Sequence, residues 1–248
     1  MIRLYNKRLI TTVFIFLITA ILTTQVWSQK ENVNPVVDEL VQYIEKIYGQ
    51  DDLIFQGRFF RDTKPLVSGN PYFSGTNWQD ADIFIRERSF NNVPVLYDIF
   101  NDDIIIQASY EQYMKLSVSI SNDLIDSFRI ANHLFFNLRH ELKDNKETYY
   151  EKIYQGNREY LLHYNKYVID NHYSSNAKGS YSEMKSNLYI VNNEDWVKCP
   201  GKSAFLQYFG SKKRSLRKFM RRQHIQYKKA GFQELQKLCK FADKQLNE

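Results

Sequence analysis

The strongest constraint on the fold is a two-residue rhythm of apolar side chains between Leu53 and about Val197. In one run, Leu116, Val118 and Ile120 alternate with lysine and serine. Successive side chains of a strand point to opposite faces of a sheet, so this rhythm predicts strands with one buried face. The fold class is therefore predicted to be mainly β, or α+β when helices are counted.

Short clusters rich in Asn, Asp and Gly separate these runs about every ten residues. Such residues tolerate left-handed backbone and hydrogen-bond their own main chain, which favours hairpins. The clusters are 68–70, 91–92, 101–103, 121–123, 155–157 and 192–194. Because no helical stretch intervenes, we predict an antiparallel meander of about ten strands that forms a sandwich or an incomplete barrel. Two longer loops are predicted at 142–147 and 173–182.

A helical period replaces the two-residue rhythm at both ends of this region. Asn34 followed by Pro35 is a favourable helix start, and Gly49 ends the apolar pattern that follows, so a helix is predicted over 35–48. The segment 202–248 again shows helical spacing and predicts a tail of two or three helices.

The first 28 residues have the layout of a secretory signal peptide. Arg3, Lys7 and Arg8 precede an apolar run over 9–22, which is short for a bilayer span, and a cleavage point is predicted after Ser28. A retained membrane anchor is the alternative. The predicted organisation is a signal peptide (1–28), a β-rich domain (29–201) and a basic helical segment (202–248), with no transmembrane span after cleavage. We expect a secreted protein in the periplasm or associated with the outer membrane.

Charge is distributed unevenly along the chain. The net charge is +6, yet residues 202–229 carry ten positive charges and no acid, which leaves −7 on residues 29–201. This asymmetry bears on binding partners and solubility rather than on the fold.

The basic segment contains a candidate anion-binding or surface-binding helix. Its cations surround an apolar stripe of Leu216, Phe219 and Met220, and they are Lys212, Lys213, Arg214, Arg217, Lys218, Arg221 and Arg222. Like charges three or four residues apart destabilise a helix. Packing of the stripe, acids of the β domain or an external anion must offset this repulsion. For an exported chain we expect no nucleic acid, so the candidate partners are an anionic envelope component or another envelope protein.

No sequence signature identifies a reaction. The chain has no P-loop, Rossmann glycine turn, nucleophile elbow or zinc helix, so no cofactor, metal site or catalytic residue is predicted. The five histidines lack metal-ligand spacing, and Asp80 and Asp82 share a strand face that suits solvation. We therefore favour a non-enzymatic protein. A periplasmic hydrolase with a cleft at the strand ends, or a carrier of an apolar ligand in an open barrel, remains an alternative.

The two cysteines, Cys199 and Cys239, are a candidate disulfide, because export to an oxidising compartment permits pairing. Two buried free thiols are the alternative.

Several stretches resemble a group of exported Gram-negative envelope proteins of unknown function. They are DLIFQG (52–57), GNPYF (69–73), VPVLYD (93–98), YYEKIYQG (149–156), and KKR (212–214) through YKK (227–229). The resemblance implies a β-rich body, a basic helical tail and residence in the periplasm or envelope. It implies no activity and no catalytic residues.

Overall fold

The structure is a computed structural model. The structure describes residues 35–48, 58–59, 66–86, 88–110, 114–139, 141, 148–170, 178–193 and 195–246, all within one compact unit. The predicted mainly β class is confirmed, with antiparallel strands, a short N-terminal helix and C-terminal helices. Fourteen strands are found in the described residues, against the ten or so expected.

The elements follow one another as helix, strands and helices. The first helix, α1, spans Pro35–Tyr48, the range that the sequence predicts. The strands are β1 (Arg58–Phe59), β2 (Val67–Ser68), β3 (Gln79–Ile85), β4 (Arg88–Asp98), β5 (Asp103–Tyr110), β6 (Met114–Ile120), β7 (Ser127–Ile130), β8 (His133–Asn137), β9 (Tyr149–Gln155), β10 (Glu159–Asn165), β11 (Val168–Asp170), β12 (Gly179–Tyr181), β13 (Lys185–Asn192) and β14 (Asp195–Cys199). The C-terminal helices are α2 (Lys202–Tyr208), α3 (Lys213–Arg222) and α4 (Phe232–Lys244), with a 3-10 turn at Gly210–Lys212.

Eleven strands form one open antiparallel sheet in the order β1-β6-β5-β4-β3-β7-β8-β9-β10-β13-β14. Its edge strands are β1 and β14, so the sheet is not closed into a barrel. Strands β11, β12 and β2 form a second, small sheet in which β12 and β2 run parallel. The predicted meander is thus present, since most neighbours in the large sheet are also neighbours in sequence.

The main core lies between one face of the large sheet and the helices. Val37 and Leu40 of α1, together with buried residues of α2, α3 and α4, belong to the same core as the sheet residues. The Tyr97 ring lies 5.1 Å from Phe128, 5.2 Å from Phe135 and 5.9 Å from Tyr149, measured between ring centroids. These rings pack edge to face and fill this part of the main core.

One predicted hairpin turn is wrong, and left-handed backbone marks both it and the preceding turn. The turn between β3 and β4 contains Arg86, whose φ is 54°. Residues 91–92 are not a hairpin turn. They lie inside β4, where Asn92 has φ 58° and the register with β3 shifts, which is the signature of a β-bulge.

The predicted loops have different outcomes. Residues 142–147 and 173–177 lie outside the described residues. The remainder of the second loop is partly a strand, because Gly179–Tyr181 forms β12 between β11 and β2. A Cβ at Gly179 would lie 2.9 Å from the carbonyl oxygen of Ile169, so the close pairing with β11 requires glycine.

Candidate anion-binding surface

Helix α3 is docked onto the molecule by its apolar side. Leu216 and Met220, four residues apart, are fully buried in the main core. The ring of Phe219 stacks on Phe241 of α4, with centroids 4.0 Å apart and planes 5° from parallel. Ser215 donates a hydrogen bond of 2.6 Å to the side chain of Gln245, just beyond α4. The helix is therefore held in place along one side.

The cations of this helix lie on the opposite side. Of the seven predicted binding residues, five are exposed: Arg214, Arg217, Lys218, Arg221 and Arg222. The other two, Lys212 and Lys213, are half-buried and flank the apolar stripe. Lys212 belongs to the 3-10 turn rather than to α3. The sequence predicts cations around most of the helix. In the structure, the exposed cations lie on the face away from the core. We call the five exposed residues the basic face.

The basic face makes no ion pair within the part of the chain that the structure describes. There, the pairs of lysine or arginine with acids are Arg88–Glu39, Arg139–Asp123 and Lys152–Glu159, all in α1 or the β region. Arg222 lies over the ring of Phe219 of its own helix, 5.8 Å from the centroid. The described acids of the β domain thus do not neutralise α3, although the domain is acidic overall.

A buried carboxylate fixes α4, against which α3 packs. Asp243 accepts hydrogen bonds from the backbone N–H groups of Asn157 (2.9 Å) and Arg158 (3.2 Å), in the turn between β9 and β10. It also accepts a hydrogen bond of 3.2 Å from the hydroxyl of Tyr160. Two backbone donors and a hydroxyl compensate the cost of burying this carboxylate. Sequence reasoning missed Asp243, because its partners lie more than 80 residues away.

The turn that receives Asp243 depends on Gly156. A Cβ at this position would lie 2.2 Å from Oδ2 of Asp243, well inside van der Waals contact. Further bonds join the helices to the β region: Arg158 donates to the hydroxyl of Tyr208 in α2 (2.7 Å), and Gln236 of α4 donates to the carbonyl of Ile153 (2.9 Å). Helix α3, which carries the basic face, therefore packs on a helical layer that is hydrogen-bonded to the sheet.

The two cysteines lie in the same buried core. Cys199 ends β14, Cys239 lies in α4, and both are free thiols in the structure. Burial raises the pKa of Cys199 to about 12. Burial, and secondarily the proximity of Cys199, also raises the pKa of Cys239 well above its usual value. Pairing of the two after export stays a prediction.

A second cluster joins three neighbouring strands on the core side of the sheet. The carboxylate of Glu151, which is only 1% exposed, lies 2.7 Å from Nδ1 of His133 and accepts a hydrogen bond of 2.5 Å from the hydroxyl of Tyr164. Desolvation raises the pKa of Glu151, while its bonds to Tyr164 and His133 act in the opposite direction. The His133 side chain is 35% exposed, so the cluster reaches solvent at the histidine.

Sequence reasoning did not single out this cluster. His133 is one of the five histidines without metal-ligand spacing, and the residues around it do not predict an acidic partner. Glu151 lies in an aromatic stretch, Tyr149-Tyr150-Glu151, and an acid within a buried strand is the signal that could have identified it. Within the described ranges, no group of three or more His, Cys, Asp or Glu residues is arranged to hold a metal ion.

His163 belongs to a different buried network. Its Nε2 atom lies 3.6 Å from Oδ2 of Asp102. Asp102 accepts hydrogen bonds from the hydroxyl of Tyr97 (2.7 Å) and from the backbone N–H groups of Thr148 and Tyr149. This network fixes the turn between β4 and β5, where Asp102 itself has φ 62°. Its arrangement is that of a structural support.

No protein-family model, curated protein or solved structure matches this chain. Helices long and apolar enough to cross a membrane are not found in the ranges that the structure describes. The basic face of α3 is the surface whose composition most clearly indicates a partner.

Proposed function

We propose that this protein is an exported, non-enzymatic binding protein of the cell envelope, in the periplasm or at the outer membrane, and that α3 binds an anionic partner. The observation that carries this proposal is the basic face. Its five exposed cations lie on a docked helix without an acidic partner among the described residues.

Repulsion between the cations of the basic face lowers the stability of the protein, and no ion pair with a described acid offsets it. Arg214, Arg217 and Arg221 follow one another at spacings of three and four residues, where like charges destabilise a helix by about 0.2–0.5 kcal/mol per pair. Burial of Leu216 and Met220 holds the helix in spite of this repulsion. An external anion would relieve it, which is the physical reason to expect a partner.

The expected affinity is moderate and sensitive to salt. A cation near an anionic surface contributes about 1 kcal/mol, so five cations would together give a dissociation constant on the order of 0.1 mM. Exposed charges are screened over about 8 Å at physiological ionic strength. Such a contact is reversible and suits a partner that is abundant in the envelope.

The location in this proposal rests on the predicted signal peptide over 1–28, which lies outside the described residues. Export also favours an envelope partner over nucleic acid. An anionic envelope component or another envelope protein with an acidic surface would satisfy the basic face.

Charge reversal tests the proposal. The variant carries Arg217→Glu, Lys218→Glu, Arg221→Glu and Arg222→Glu, and its sedimentation with envelope fragments is compared with that of the wild type. A matched control reverses four exposed cations outside α3 that make no ion pair with the described acids: Arg86, Arg129, Lys178 and Lys202. We expect loss of co-sedimentation for the α3 variant alone. Binding by that variant that is retained and insensitive to salt would refute the proposal.

A second candidate function, hydrolysis, is favoured by the contact between Glu151 and His133. A buried carboxylate that orients a half-exposed imidazole is an arrangement used in general base catalysis. The hydrogen bonds described for this cluster include no Ser, Thr or Cys nucleophile. If the hydrolase hypothesis holds, His133→Ala abolishes cleavage of a simple activated ester while α3 reversal leaves it intact. Equal background rates in wild type and variant would reject it.

A further inference from the structure

We infer that the partner of the basic face is the phosphate layer of an anionic lipid bilayer, with α3 lying flat against the headgroups. This inference rests on the proposed function and specifies its partner. Three properties of α3 carry it: the convex arrangement of its cations, the burial of its apolar side and the predominance of arginine.

The cations form a ridge rather than a pocket. At about 100° per residue, Arg217, Arg221, Arg214, Lys218 and Arg222 span roughly 140° of the helix circumference, opposite Leu216 and Met220. At about 1.5 Å per residue they occupy roughly 12 Å of the helix axis. Side chains that diverge from a ridge do not converge on one small anion. They can each meet a different phosphate of an extended anionic surface.

The apolar residues of α3 pack within the protein and are not available to a partner. Leu216 and Met220 are buried, and Phe219 is stacked on Phe241. The core of a protein–protein interface is usually a buried, largely apolar patch, which the basic face does not offer. The large apolar side chains that are exposed elsewhere, Leu66, Tyr167, Ile169 and Met184, lie outside the C-terminal helices. The contact is therefore electrostatic and stays at headgroup level.

Arginine predominates on the basic face, with four arginines and Lys218. The planar guanidinium group donates paired hydrogen bonds to phosphate oxygens, which favours phosphate as the contacted group. Because α3 is docked on the protein, the helix is already folded before it contacts the membrane. In this respect it differs from interfacial helices that insert an apolar face into the lipid.

The inference is tested by vesicle sedimentation of the mature chain obtained by export and cleavage. Vesicles of phosphatidylcholine alone are compared with vesicles that also contain phosphatidylglycerol, at low and high NaCl. We expect at least about tenfold stronger binding to the phosphatidylglycerol vesicles, lost at high salt and in the α3 reversal variant. The four-site reversal outside α3 should retain binding. The far-ultraviolet circular dichroism of the protein should not change on binding.

A charge-preserving variant sharpens the result. Replacing the four arginines of the basic face with lysine keeps the charge but removes the paired hydrogen bonds to phosphate. Binding to phosphatidylglycerol should therefore weaken several-fold and still exceed that of the α3 reversal variant. Binding to phosphatidylcholine alone, or a gain of helix on binding, would overturn the inference.

A soluble polyanion separates failure of this inference from failure of the proposed function. If the α3 reversal weakens binding to a sulfated glycan or to duplex DNA while the wild type ignores phosphatidylglycerol, the anion-binding function stands and the lipid partner is wrong. If the reversal changes binding to none of these anions, both are wrong.

Discussion

Gly156 leaves open the space that the carboxylate of Asp243 occupies. A Cβ at Gly156 would lie 2.2 Å from Oδ2 of that carboxylate, which accepts the N–H groups of the next two residues, Asn157 and Arg158. A glycine in a hairpin turn and an acid in the last helix thus join the sheet to the helical layer. That layer contains α3 and its basic face.

We expect Gly156→Ala to destabilise the protein by about 1–3 kcal/mol, because the added methyl group overpacks the contact with Asp243. Urea unfolding followed by circular dichroism measures the change. Gly201→Ala is the control, since a Cβ there meets nothing within 4 Å. Gly201 is the N-cap of α2, where alanine is less favourable than glycine, so we expect a loss below about 1 kcal/mol. Equal stability of Gly156→Ala and wild type would contradict the described packing.

We expect Glu151→Gln to change the pH dependence of stability. Burial raises the pKa of Glu151 above its usual 4.5, so the native state binds this proton more readily than the unfolded chain does. The stability that the protonated carboxyl contributes is complete below that usual value and is lost as the pH rises through the native pKa. Glutamine cannot ionise and undergoes no such loss.

The stability of wild type relative to Glu151→Gln should therefore fall as the pH rises from weakly acidic to neutral. Urea unfolding of both proteins at a series of pH values measures this difference. A difference that is constant over the range, or that moves the other way, would show that the native state does not favour the protonated carboxyl.

We expect the reduced native protein to protect both thiols. Burial raises the pKa of Cys199 to about 12 and raises that of Cys239 as well, so little thiolate forms and little reagent reaches it. Reaction with a thiol reagent at pH 8 should be at least about tenfold slower than in urea. Fast labelling of the folded protein would contradict this. The predicted pairing is tested separately, by the mass of the exported chain before and after reduction.

The sequence predicts well the features that depend on neighbouring residues. Val93, Val95 and Tyr97 alternate in the sequence and are all buried in β4, although Leu96 and Asp98 on its other face are buried as well. Helix α1 has its predicted bounds because Pro35 and the apolar spacing after it are local signals. Leu216 and Met220 are buried as their helical spacing indicates.

Features that depend on distant residues could not be predicted in the same way. Asp243 contacts Asn157 in the turn after β9, and these two residues are 86 positions apart in the sequence. The sequence around Asp243 is that of any amphipathic helix. The contact of Glu151 with His133 requires the register of β8 and β9. Arg86 and Asn92 both adopt left-handed backbone. Their residue types do not show which of them lies in a turn and which lies in a bulge.

The central claim is that the cations of α3 serve a partner rather than the fold, and urea unfolding of Arg217→Glu tests it most directly. The new carboxylate would lie three or four residues from Lys213, Arg214 and Arg221, so we expect stability to rise by about 0.5–1.5 kcal/mol. Leu216→Ala, at the adjacent buried position, should lower stability by about 2–4 kcal/mol and shows that the transition reports α3. A loss of stability in Arg217→Glu, as expected if an acid lost its arginine partner and faced a new carboxylate, would contradict the claim.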